Sequence, residues 1–168
     1  MNEKIRTNVF LINNLSVKYP DVKLIFSTLW AKISPVHQWA IRQGISDFQV
    51  IHHQGNPLTP FHFNQLHEAS LQFLEKEVNQ EKSIVVTHHV PSFQLSSPDY
   101  IGSKINGAFT VELEQYIENC PVEYWIYGHS HRNVNKVIGR TKCVSNQLGY
   151  VFHKEHHTFD SQKIIEVI

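Results

Sequence analysis

The chain is 168 residues long and carries no formal net charge, its 15 lysines and arginines matching its 15 aspartates and glutamates. That length suits one domain able to bury roughly 70% of its unfolded surface. The charge balance gives no support for a nucleic-acid partner held by a basic face, and no apolar run approaches the roughly 18 residues of a membrane span.

Residues 9–12, all apolar, predict a short strand. Residues 15–18 and 22–27 flank Tyr19-Pro20-Asp21 and predict a hairpin. Ser34-Pro35 combines a capping residue with proline at a first helical position, so a short helix is expected to about Gln43, ending near Gly44. His52 to Pro57 is a loop by its turn residues. Thr59-Pro60 opens the longest helix, to about Asn79, with Phe63, Leu66, Phe73 and Leu74 at helical spacing.

A strand at 83–87 comes next, then a loop from Pro91 to Ser103. Thr110 is expected to cap a helix to about Asn119, and residues 123–127 to form the following strand. Residues 134–138 and 141–145 flank Gly139-Arg140 as a hairpin, and final strands are expected near Val151 and at 163–167. Strands alternating with helices, then hairpins, predict a single layered α/β domain.

Cys120 and Cys143 have no metal-type spacing and read as reduced thiols. With a first segment unlike a signal peptide, they set the expectation of a cytoplasmic protein.

Histidine is the compositional outlier, with twelve copies. Two groups of histidines follow apolar strand patterns directly. Ile84-Val85-Val86 runs into Thr87-His88-His89-Val90-Pro91, and Tyr124-Trp125-Ile126-Tyr127 runs into Gly128-His129-Ser130-His131. Ligands in layered α/β folds collect at the carboxyl ends of strands, so two such turns predict one shared site. Neutral imidazole suits zinc, iron, manganese or nickel. His88, His129 and His131 are the candidate metal ligands, and His89 a group behind them or facing substrate. An arbitrary Gly-His-x-His is more often a pair of solvated loop histidines; the preceding strands and the repetition shift the balance. Gly128 is expected to let the backbone bend closely. For His52, His53, His153, His156 and His157 a solvated loop position is the better reading, and for His37, His62 and His67 a helical surface or packing position.

The segments Val85 to Ser92, Ile105-Asn106-Gly107-Ala108-Phe109 and Trp125 to Arg132 together resemble the calcineurin-like metallophosphoesterases. Ser27-Thr28-Leu29-Trp30, Ile45-Ser46-Asp47-Phe48, Leu66 to Leu71 and Val144 to Tyr150 extend the resemblance over nearly the whole chain. It implies a four-layer fold of two packed β-sheets flanked by helices, to which this chain would supply one sheet and part of the other. It also implies hydrolysis of a phosphate ester by two divalent metal ions bridged by a hydroxide. Under it His88 and His129 hold one metal and His131 the other, while Asn106 and Arg132 lie toward substrate.

One departure qualifies that expectation. The family's Asp-x-His, Gly-Asp-x-x-Asp and Asn-His motifs do not occur; Asp21, Asp47, Asp99 and Asp160 fit none of them, and Gly55-Asn56-Pro57 has proline where the histidine belongs. The match begins around Val9, in the segment that normally follows those motifs. Neutral imidazoles leave the repulsion between two divalent cations uncompensated. The expectation is therefore a C-terminal portion of such a domain, incomplete as a catalyst, for which self-association or a complementing N-terminal fragment would complete the structure. Two alternatives stand beside it: a non-catalytic interaction protein that keeps the fold, and a single-metal site of His88, His129 and His131 open to water.

Overall fold

The computed structural model describes residues 2–167. An N-terminal hairpin, β1 (Asn2–Arg6) and β2 (Val9–Ile12), stands apart as a two-stranded antiparallel ribbon. β3 (Leu15–Lys18) and β4 (Lys23–Ser27) form the expected antiparallel hairpin.

A turn of 3-10 helix at Pro35–His37 leads into α1 (Gln38–Gly44), then α2 (Asp47–Val50). Ser34 makes no side-chain cap, so proline's fixed backbone starts this segment without it. The expected loop at His52 is a minimal hairpin, β5 (His52–His53) and β6 (Asn56–Pro57), turned by Gln54 and Gly55, both left-handed. α3 (Pro60–Glu77) follows, with the Thr59 side chain accepting the His62 N–H.

β7 (Ser83–Thr87) occupies the residues expected of it. α4 is shorter than the reading from sequence, at Glu114–Asn119, and Thr110 does not cap it. Thr110 instead pairs with Val90 in an isolated parallel bridge, and its hydroxyl bonds to Asn106 and Ser96. β8 (Val122–Ile126), β9 (Lys136–Ile138) and β10 (Thr141–Val144) complete the strands.

Six of these strands form one sheet in the order β3-β4-β7-β8-β10-β9. The four central strands are parallel, and antiparallel β3 and β9 close the two edges. The protein is thus a mixed α/β fold with a six-stranded sheet flanked by helices. Parallel strands are covered on both faces, which explains their near-continuous apolar runs. Ile25, Val85 and Trp125, from three neighbouring strands, are fully buried and share the core with Phe63 and Leu74 of α3 and Ile117 of α4.

The expected last strands do not form. Val151–His153 and Glu155–Thr158 are 3-10 turns joined by left-handed Lys154, and residues 163–167 are irregular. β10 already has a neighbour on each side, so the tail finds no free edge there. It is tied instead by the Tyr124 hydroxyl, which donates to the Glu166 carbonyl at 3.2 Å, and by Lys163, whose ammonium donates to the Ser145 carbonyl at 2.8 Å.

Candidate functional site

The carboxyl ends of β4, β7 and β8 lie side by side, because Ser27 pairs with Thr87 and Val86 with Ile126. The turns that follow are laced together through the backbone. The N–H groups of His88 and His89 both donate to the Thr28 carbonyl, at 3.3 and 3.2 Å, and the Gly128 N–H donates to the His88 carbonyl at 3.0 Å. Two histidine turns separated by 40 residues of chain thereby become neighbours. The His88 and His129 ring centroids are 4.6 Å apart.

Four non-glycine residues at this end of the sheet adopt left-handed backbone: Asn14 (φ 50°), Leu29 (φ 46°), His129 (φ 71°) and His131 (φ 52°). Such conformations are costly without glycine and persist where surrounding structure holds them. The sequence reading placed the conformational demand on Gly128. A Cβ there would meet only ordinary contacts, the nearest being the His88 carbonyl oxygen at 3.6 Å. The strain falls on the two histidines instead. His131 is fixed by its own N–H, which donates to Gln147 Oε1 at 2.9 Å.

A cleft of about 610 Å³ opens above these turns, lined by His88, His129 and His131 together with Asp47, Tyr150 and Glu155. The resemblance-derived candidates are therefore brought into one cavity. His89 is not on its surface. It is buried, packed 4.3 Å from the His129 ring centroid and within ring contact of Trp30 and Phe63. Its Nδ1 accepts the Ala31 N–H at 3.3 Å, so it acts as a support behind His129.

Asn106 and Arg132 turn away from the cleft. Arg132 donates through Nε and Nη2 to Asp99, at 3.0 and 2.7 Å, and pins the 92–109 loop. Asn106 starts a 3-10 turn and accepts the Thr110 hydroxyl. Of the remaining histidines, His67 is buried, its Nδ1 2.7 Å from the Trp30 carbonyl, and His153 reaches the cleft wall.

Two carboxylates that sequence reasoning gave no role face the same cleft. Asp47 lies near enough to His88 to favour its protonated form. Glu155 is 3.0 Å from His131 Nδ1 and also accepts the Tyr150 N–H at 2.5 Å. Those bonds, led by the backbone one, hold the Glu155 carboxyl below its usual range. A carboxylate only accepts, so His131 Nδ1 carries the proton and Nε2 is the nitrogen left for another partner. Gly149, left-handed at φ 63°, makes this approach feasible: a Cβ there would come within 2.6 Å of the Glu155 Cβ and 3.3 Å of the His131 Cβ.

Burial sets the protonation of the other rings. It pushes His129 down to about 3, with His88 and His131 adding to the effect. His88 is lowered by partial desolvation, then by His131, against the opposing pull of Asp47. His89 is held well below its ordinary value, first by burial. Neutral imidazoles with free lone pairs are the form that binds transition metals.

The donor set does not fit a two-metal centre. Among the described residues, no group of three histidine, cysteine or carboxylate side chains comes together closely enough to hold an ion. The His88 and His129 rings are adjacent, and His131 is directed to Glu155. Cys120 and Cys143 are free and buried, away from the cleft lining.

No protein-family model matches the chain. Over 173 aligned residues it is 30% identical to an uncharacterized protein, L509, of Acanthamoeba polyphaga mimivirus, an alignment covering 95% of this chain. The chain spans 61% of the length of that relative.

Proposed function

We propose that the chain is the histidine-bearing part of a metal-dependent phosphoric ester hydrolase of the calcineurin-like type, incomplete as a catalyst by itself. The observation that carries this reading is the meeting of His88 and His129 at 4.6 Å on adjacent parallel strand ends, with His131 in the same cleft. Strained backbone at His129 and His131, and neutral rings at His88 and His129, support it further. The two-sheet sandwich of that family and the cytoplasmic location belong to the same proposal. No catalytic step is assigned, because among the described residues no three histidine, cysteine or carboxylate side chains gather around one ion position, and Asp47 and Glu155 do not join the histidines in such a group.

Calorimetric titration with Mn²⁺ or Zn²⁺, followed by inorganic phosphate and by p-nitrophenyl phosphate, tests this reading. Binding of one ion, metal-dependent phosphate binding and no turnover are expected, with both binding events lost in His88→Ala/His129→Ala. No metal binding overturns the metal-dependent reading. Two tightly bound ions with turnover overturn its incompleteness.

A second reading, a non-catalytic interaction protein, draws on the β1–β2 ribbon. Ile5, Val9, Phe10 and Leu11 are each about half exposed on it, and an isolated two-stranded ribbon is marginal in water. A second copy or a complementing fragment would cover these side chains. Sedimentation of a pure monomer at high concentration would count against self-association.

A further inference from the structure

Two runs of aromatic rings climb out of the cleft, one from each histidine of the second turn. From His129 the first reaches Phe109, at 5.0 Å between centroids, and then Tyr100, stacked on Phe109 at 5.8 Å and 12°. From His131 the second reaches Tyr150, edge-on at 4.6 Å, and then Phe152, stacked on Tyr150 at 5.3 Å and 29°. The second run becomes more open outward: Tyr150 is 52% exposed and Phe152 76%. Large rings held face to face yet left to solvent are costly unless something covers them.

The charge of the cleft narrows what that is. Asp47 and Glu155 are in its lining, and no lysine or arginine is among the described residues that line it. Arg132 is spent on Asp99. A phosphate ester entering here meets no side-chain cation, so the non-phosphate part of the molecule must carry much of the affinity. The ring runs offer faces for a planar group, which prefers offset or edge contacts with aromatic side chains. The cleft's volume, about 610 Å³, lies within the range that takes a molecule of nucleotide size.

We infer that the cleft takes a phosphate ester whose alcohol portion carries a planar, nucleobase-sized ring, seated against Tyr150 in the cleft lining and reaching Phe152, which stacks on Tyr150 outside that lining, with its phosphate toward His88 and His129. This inference rests on the phosphoesterase reading of the same site and names its substrate class.

The test compares adenosine 5′-monophosphate, ribose 5-phosphate and adenosine by calorimetry with Mn²⁺ present, in the parent chain and in Phe152→Ala. Phe152 is mostly exposed, so its removal leaves the core intact. Base stacking on aromatic side chains predicts that the monophosphate binds at least about 10-fold more tightly than ribose 5-phosphate, and that Phe152→Ala removes most of that margin. Equal binding of the two phosphates overturns the substrate class and leaves the phosphoesterase reading standing. Adenosine binding as tightly as its monophosphate keeps the ring platform and overturns the phosphoesterase reading. Absence of binding by all three overturns both.

Discussion

Trp125 Nε1 donates to Thr87 Oγ1 at 3.0 Å, one strand across and one residue before His88. The same hydroxyl donates to the His89 carbonyl at 3.1 Å. Through one buried threonine, the indole at the centre of the sheet is joined to the histidine turn that forms the cleft floor. Trp125 is fully buried, so its N–H has no alternative partner in water. Thr87→Val keeps the shape and removes the acceptor. It should destabilise the protein by about 1–3 kcal/mol, the cost of an orphaned buried donor, read as a lower urea midpoint with unchanged slope.

Acid should destabilise the fold through its buried histidines. His129 titrates near 3 in the folded protein, against about 6.5 when unfolded. His88 and His89 shift in the same direction. Between those values the unfolded chain binds more protons, so stability falls as pH drops. The full stability is present above about pH 6.5. Below it His129 alone contributes a loss of about 1.4 kcal/mol per pH unit, levelling near pH 3. Urea unfolding with a chelator present, at pH 7 and pH 5, should show this fall, and His129→Gln should reduce it.

Glu155 governs the tautomer of His131. In the parent, Nδ1 carries the proton because the carboxylate opposite it only accepts. In Glu155→Ala both tautomers should be populated, with stability changed by no more than about 1 kcal/mol. Nitrogen-15 shifts of the imidazole distinguish these states. An unchanged His131 spectrum would show that the carboxylate does not set the proton's position.

Gly139 turns the β9–β10 hairpin at φ 58°, and a Cβ there would lie 2.8 Å from the Glu118 Cα and carbonyl oxygen. Gly139→Ala must strain that turn or move α4. A loss of about 1–3 kcal/mol is expected, seen as a lowered melting temperature while the cleft's ligand binding is retained.

The sequence showed the site's frame where local pattern and strand order agree. Apolar runs at 83–87 and before Gly128 are read directly as buried strands, and their register brings His88 and His129 together. The role of Glu155 was not legible. It lies 24 residues from His131 and reaches it only through left-handed turns at Gly149 and Lys154. A short run such as Lys163 to Val167 has the composition of a strand, but pairing needs a free edge, which is a property of the whole sheet. Thr110 illustrates the same limit: its capping chemistry is real, yet the Val90 bridge and the Asn106 and Ser96 bonds claim it first.

The most direct test of the central claim is anomalous diffraction from crystals grown with Mn²⁺ or Zn²⁺. A single strong peak at His88 and His129 is expected, absent in His88→Ala/His129→Ala. A protein with no peak in the cleft, or with metal only at surface histidines such as His52 and His157, would contradict this reading.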